Sequence, residues 1–330
     1  MLVAFDKHQN LVNTVTETIS KRQGPFTCPG CRSPLRLKKG RVMRPHFAHV
    51  SLEACDFLAE AESVEHLSLK GDLYRWASQA GDREVWLEKH LPTIGQVADL
   101  LLEGNVALEV QCSSLSADRL RERTRAYQEA GYHVIWLLGE KLWLRDTIRP
   151  LQKDFLYFSQ NRGFHLWELD LEKQVLRLKY LIHEDLHGQI QCQEESFAFG
   201  EGGLLDVLRQ PFVQQPVASF KGLMDEEIVS YVAKQLHFCT PKWMAKQALA
   251  YQKGGNLLTQ TKDDFYPQIG LIPFTDFAQI GENLLPYYQQ FHAYYKKQED
   301  KSVQFLYSPA FYGKIGAMED LQNGKTKKRN

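Results

Sequence analysis

The chain has 330 residues, 43% of them apolar and 24% charged, and its 40 basic residues balance its 40 acidic ones. This composition excludes a disordered or collagen-like chain, and no run approaches the roughly 20 apolar residues of a membrane span. The length predicts two or three domains, and zero net charge means that any nucleic-acid partner must be recognised through local clustering.

Met1 to Lys7 has no basic region followed by a long apolar run, so no secretory leader is expected. Residues 1–57 read as a small module of short strands and turns. Leu11 to Thr16 is a strand, and Cys28-Pro29-Gly30-Cys31 and Lys39-Gly40 are turns. Its apolar content is low for an independent core, and a metal would help to hold it together. After Cys31, 14 residues intervene before His46-Phe47-Ala48-His49. Two cysteines and then two histidines follow the logic of a tetrahedral zinc site made by Cys28, Cys31, His46 and His49. Cys55 is an alternative ligand; a redox pair or unligated turn cysteines are the other readings. The six cysteines are too sparse for a disulfide scaffold, which points to a reducing, cytoplasmic setting.

Residues 58–150 read as an α/β unit. Helical spacing from Leu58 to Ala80 stops at Gly81-Asp82. Strands follow at Glu84–Glu88, Val97–Leu102 and Val106–Gln111, the last two forming a hairpin across Glu103-Gly104-Asn105. A helix over Ala117–Ala130 and a continuous apolar strand, Val134–Leu138, complete a mixed central sheet. Residues 151–330 change character. Alternation over Phe164–Ile190 predicts a small antiparallel sheet, and from Leu204 onward the pattern is mainly helical and aromatic, as at Tyr287, Tyr288, Phe291, Tyr294 and Tyr295. The basic tail, Lys325–Arg329, is expected to be disordered.

Asp99 and Glu109 sit inside strongly apolar strands, and Gln111 shares a strand face with Glu109. Carboxylates in such strands are costly unless paired, and magnesium or manganese is a suitable partner. A half-exposed strand with its acids in solvent is the plainer alternative. On the next helix, Arg119 shares a face with Arg123 and Arg121 shares one with Arg125. Such rows suit phosphate binding, or else form a solvated face paired through Glu122 and Glu129. The earlier helix carries Glu62, Glu65, His66 and Lys70, which present acid and base to the sheet edge or simply belong to an amphipathic helix.

Taken in order, Phe26–Cys31, His46–His49, Glu65-His66 with Lys70, Val97-Ala98-Asp99, Leu108–Ser113, Arg125, Tyr127, Gly131 and Val134–Trp136 resemble the competence protein CoiA family over about residues 20–140. The resemblance implies a PD-(D/E)xK nuclease fold like that of restriction endonucleases, flanked by a zinc-ribbon-like module and a C-terminal region. It implies a role in natural transformation, acting on incoming DNA at the recombination stage. It makes Asp99 and Glu109 magnesium (or manganese) ligands and Glu65 an auxiliary acid. Gln111 stands where lysine is usual, so Lys70 or an arginine of the following helix must replace that lysine, or the site mainly binds DNA. The expected function is therefore metal-dependent cleavage of single-stranded DNA or a recombination intermediate. Arg119, Arg121 and Arg125 would bind phosphates, and a recombinase such as RecA would be a partner. A non-catalytic DNA-binding mediator is the second reading. An interaction scaffold carried by the aromatic C-terminal half is the third, those rings alternatively stacking on unpaired bases.

Overall fold

The computed structural model describes residues 1–40, 43–51, 62–79, 84–273 and 276–316. Cys55, the expected helix start at Leu58, its Gly81-Asp82 stop and the basic tail lie outside them. Five short strands come first: β1 (Val3–Phe5), β2 (Leu11–Asn13), β3 (Phe26–Thr27), β4 (Pro34–Lys38) and β5 (His46–His49). They form one antiparallel sheet in the order β2-β1-β3-β4-β5. Alternation in β4 places Leu35 and Leu37 inward beside Phe26 and Phe47, which gives this sheet a small core of its own.

Next come α1 (Val64–Ser78), β6 (Val85–Leu91), β7 (Gln96–Leu102), β8 (Val106–Gln111), α2 (Ala117–Glu129) and β9 (His133–Leu138). Both helices start where the sequence supplies a cap. Ser63 Oγ accepts from the His66 N–H, and Ser116 Oγ accepts from the Arg119 N–H. After α3 (Pro150–Asp154) follow β10 (Tyr157–Ser159), β11 (Gly163–Asp170), β12 (Val175–Asp185) and β13 (Ile190–Ala198).

The antiparallel strands after residue 150 do not form a separate small sheet. They extend the central one, whose order is β13-β12-β11-β9-β8-β7-β6. β11 pairs with β9 in parallel, with Trp167 opposite Leu137, and is buried along its whole length. A strand buried on both faces needs neighbours on both edges, and β9 supplies one of them. β8 and β9 are also parallel, joined by the α2 crossover.

The chain ends with α4 (Leu204–Leu208), β14 (Ser219–Lys221), α5 (Ile228–His237), α6 (Pro241–Gln252), β15 (Ile269–Gly270), α7 (Leu285–Lys296) and β16 (Phe305–Tyr307). Cores lie on both faces of the central sheet. One joins α1 and α4 to Leu100, Leu108 and Leu137; the other joins α2 and α7 to Ala107, Trp136 and Leu166. Three of the C-terminal aromatics are packing residues. Tyr287, Phe291 and Tyr295 are buried, so these three rings are not placed to stack on bases. Among the described residues, no helix is long and apolar enough to cross a membrane.

Two histidines tie this second half to pH. His165 in β11 and His183 in β12 are buried, and burial holds both imidazoles down at about 4 against an ordinary 6.5. Between those values only the unfolded chain takes up their protons, so stability is lost as pH falls through the window. Each histidine contributes about 2 kcal/mol of that loss between pH 7 and pH 5. The urea midpoint is expected to fall over this range, and His183→Phe should flatten the fall.

Candidate functional site

Three adjacent strands carry one acid each at the same level. Glu88 and Asp99 stand opposite one another between the pairs Leu87↔Leu100 and Lys89↔Ala98. Glu88 takes a left-handed backbone with φ of 49°, which a side chain rarely adopts and which interrupts the ladder. Side-chain alternation slips at the same row. Ala98 and Leu101, three residues apart, join one core, while Leu100 and Leu102 join the other. Pairing between β7 and β8 runs only to Leu100↔Leu108, so the strands part at Asp99 and Glu109. Asp99 fills the fork, where its Oδ2 accepts from the Val110 N–H at 2.9 Å.

This slip sends the two acids to different helices. Asp99 reaches α1, with Oδ2 3.0 Å from His66 Nε2 and Oδ1 3.4 Å from Lys70 Nζ. Glu109 reaches α2, where Arg123 Nη2 lies 2.8 Å from its Oε1 and the Tyr127 hydroxyl donates to the same oxygen. Asp99 and Glu109 thus make their direct side-chain contacts with different helices, although both border the same cleft. The donor set on the Asp99 side is Glu62, His66 and Asp99, which offer ligand atoms within 4.8 Å of one another. His66 and Lys70 stand one turn apart at the start of α1, and Glu62, just ahead of the Ser63 cap, reaches back to both.

Lys70 is the hub. Its ammonium donates to Glu62 and, at 2.7 Å, to Glu88, and it is 2% exposed. Glu88 also accepts from the N–H groups of Leu2 and Val3 at 2.8–3.1 Å, which fastens the N-terminal sheet to the central one. Burial opposes every charge here, yet the charges hold one another. His66 and Lys70 bring the Asp99 carboxyl down to about 2. Lys70, the Met1 amino group and His66 hold Glu62 well below the usual range. Glu62, Glu88 and Asp99 keep Lys70 protonated despite its burial. Glu109 is the contrast: burial pushes its carboxyl up, with Arg123 pulling against it.

Other expected site residues are dispersed. Glu65 accepts from the Glu140 N–H at 2.8 Å. A Cβ on Gly139 would come within 2.7 Å of that carboxylate, so glycine there admits it. Glu65 therefore braces the turn after β9. Gln111 donates to the Ser113 carbonyl at 2.6 Å. Arg121 is held by Asp154 at 2.7 Å and by Asp276, which anchors α2 to the C-terminal region. Arg125 is exposed and, like Arg121, does not line the cleft; Arg119 does, beside Glu122 at 2.9 Å.

Glu62, Glu65, His66, Lys70, Glu88, Asp99, Glu109 and Gln111 all border one cleft of about 910 Å³. Arg119, Arg123 and Lys141 supply positive charge on it, and Cys28 reaches its edge from the N-terminal sheet. In that sheet the ligand atoms of Cys28, Cys31 and His49 lie within 4.8 Å of one another, with Cys31 Sγ 3.4 Å from His49 Nε2. His46 is not among them; its Nδ1 faces the Arg44 carbonyl at 3.0 Å. The reason is parity: positions three apart on a strand point to opposite faces.

Sequence reasoning passed over Glu88 and Tyr127 as site residues, read Arg123 only as part of an arginine row, and gave Glu62 and His66 no ligand role. The i, i+4 rule applied to the arginine helix would have joined His66 to Lys70 at the start of α1. Nothing local marks Glu88, because its role comes from a backbone irregularity and a contact with residues 86 positions away.

The chain is a mixed α/β protein whose central sheet forks at buried acids, with a helix on either side and a cleft lined by both acids and cations. Sequence comparison makes this specific. The family described as "Competence protein CoiA, nuclease-like domain" matches residues 62–197, and "Competence protein CoiA, N-terminal domain" matches residues 11–58. The chain belongs to the competence protein CoiA family. It is 33% identical over 117 residues to the competence protein CoiA of Bacillus subtilis (strain 168), an alignment spanning 34% of this chain and 31% of that protein. No solved structure matches.

Removing the hub strands its partners. Lys70→Met leaves Glu62, Glu88 and Asp99 without their shared cation, at an expected cost of about 3–5 kcal/mol in chemical unfolding. The double variant Lys70→Met/Glu88→Gln should recover part of that loss. Equal stability of the single variant and wild type would contradict this account of the hub.

Proposed function

We propose that the chain is a cytoplasmic DNA-processing factor that hydrolyses DNA phosphodiester bonds and serves recombination of incoming DNA in natural transformation. The observation that carries this reading is the Glu62–His66–Asp99 donor set beside buried Lys70, in a cleft that Arg119, Arg123 and Lys141 also line. It fits the restriction-endonuclease-like core that the family resemblance implies. Two carboxylate oxygens and one imidazole nitrogen suit a hard or borderline divalent ion, manganese as well as magnesium. Such an ion would activate water and neutralise charge on the scissile phosphate.

The chain's own groups do the rest. Lys70 supplies at Asp99 the ammonium that Gln111 lacks. Because its partners keep it protonated, it acts as a fixed charge and not as a base. Arg119 and Lys141, which line the cleft, would hold neighbouring phosphates in place of Arg121 and Arg125, and Arg123 would add charge there while paired with Glu109. Hydrolysis forms one P–O bond from water and breaks another, and the departing oxygen takes a proton. A recombinase such as RecA is a fitting partner for a protein that acts at this stage.

One observation favours a second reading, a mediator that binds DNA without cutting it. Glu109 is occupied by Arg123 and Tyr127, and Gln111 by a backbone carbonyl, so two positions of the usual motif are engaged elsewhere.

A single comparison separates the two. Labelled single-stranded, duplex, flap and D-loop DNA would be incubated with magnesium, manganese or EDTA, and manganese binding followed in parallel by calorimetry. The nuclease reading expects metal-dependent products that disappear in Asp99→Asn and Glu62→Gln, with manganese affinity at least tenfold weaker in both. Glu109→Gln should keep manganese affinity within about threefold, since that acid faces α2. DNA binding without products, and no manganese uptake by the wild type, would establish the mediator.

In the N-terminal module, two thiol sulfurs and an imidazole nitrogen suit zinc in a structural, ribbon-like role. Zinc content by mass spectrometry should fall in Cys28→Ser and His49→Ala and persist in His46→Ala. Loss in His46→Ala alone would restore the ligand set expected from spacing.

A further inference from the structure

Residues 228–262 contain five lysines and no aspartate or glutamate, in a chain where 40 of 330 residues are acidic. An average stretch of this length would hold about four acids. These residues form one compact unit away from the cleft. α5 and α6 are joined by Phe238-Cys239-Thr240, where Cys239 takes a left-handed φ of 51°. The reversal is closed by the Cys239 N–H on the Leu236 carbonyl and the Thr240 N–H on the Gln235 carbonyl, both at 3.0 Å. Ile228, Val232 and Trp243 pack with Leu257 and Phe265 into a core separate from the two main ones. Two helices, a three-residue turn and a shared core make a two-helix unit.

We propose that this α5–α6 unit is a second nucleic-acid surface, which grips duplex DNA through its phosphates. Lys242, Lys246 and Lys253 fall at i, i+4 and i+11, along one side of α6. Lys242 pairs with Glu184 of β12 at 3.2 Å, and Lys246 lies over the Trp243 ring. Lys246 is held below its ordinary range by burial and by Lys242. At about 18 Å, α6 is long enough to lie along a major groove about 12 Å wide. Its outer side carries Met244, Ala245, Ala248 and Gln252, small or apolar except for one amide. That side lets the helix approach closely but reads few base edges, so binding is expected to tolerate sequence. None of these residues lines the cleft. The inference shares with the proposed function the premise that DNA is the ligand, and it does not depend on cleavage.

The test uses the full-length chain in EDTA, with fluorescence anisotropy of a labelled duplex and a labelled single strand over a salt series. Lys242→Gln/Lys246→Gln/Lys253→Gln should weaken duplex binding at least tenfold and flatten the log–log salt slope by up to about 2.7, near 0.9 per phosphate contact. The corresponding triple arginine variant should restore both, which separates charge from folding. Unchanged duplex affinity and slope in the triple glutamine variant would overturn the proposal and return this face to protein docking; so would a wild type that binds no duplex. Loss confined to the single strand would also overturn it. Cleavage by the triple variant, read separately, leaves the cleft assignment to stand or fall alone.

Discussion

The architecture depends on one buried cation. Lys70 stands at the crossing of α1, β6 and β7 and is shared by Glu62, Glu88 and Asp99. Placing so many charges out of water opposes folding, and buried ion pairs are often no more stabilising than apolar packing. What the arrangement secures is position. Glu88 fastens β1 through two backbone N–H groups, Asp99 holds open the fork between β7 and β8, and Glu62 is drawn against α1. Apolar contacts alone do not dictate so single a placement, because they are not directional.

The N-terminal sheet becomes part of the cleft by the same interaction. With Glu88 bound to Leu2 and Val3, the edge of that sheet forms a wall, and the Cys28 loop reaches the rim. Arg44 adds a second tie, meeting Asp72 of α1 at 2.9 Å. A Cβ on Gly71 would collide with that guanidinium, so glycine inside this helix admits the docking contact despite its cost to helix stability. A metal that orders the Cys28 turn would therefore also shape the cleft.

Much of the central unit was legible because its signals are local. The apolar run Val134–Leu138, the hairpin around Glu103-Gly104-Asn105 and the cap-to-glycine span of α2 each lie within a few residues of one another. What escaped was non-local or broke a period. β11 joins β9 through a parallel pairing across some thirty residues, and no pattern inside β11 announces that neighbour. The slip at Glu88 and Asp99 gave Asp99 its direct partners on α1 while Glu109 met Arg123 and Tyr127 on α2, which strict alternation along the hairpin does not announce. The His46 error was of another kind. β5 is a strand, its period is two, and the rule that excludes His46 from His49's face was available from the sequence.

Zero net charge gives little hint of a polyanion ligand, yet the distribution of charge does. Acids are drawn inward: Glu62, Glu88 and Asp99 around Lys70, Glu109 under Arg123, Glu168 and Asp170 beside Arg177. A carboxylate paired in the interior adds to the formal sum but contributes little field at the surface, where solvent and salt act. Among the cations outside such pairs are Arg119 and Lys141 on the cleft and lysines of the acid-free run from 228 to 262. A chain can thus be neutral by count and still present basic surfaces. The fold achieves this by burying part of the charge that would cancel them.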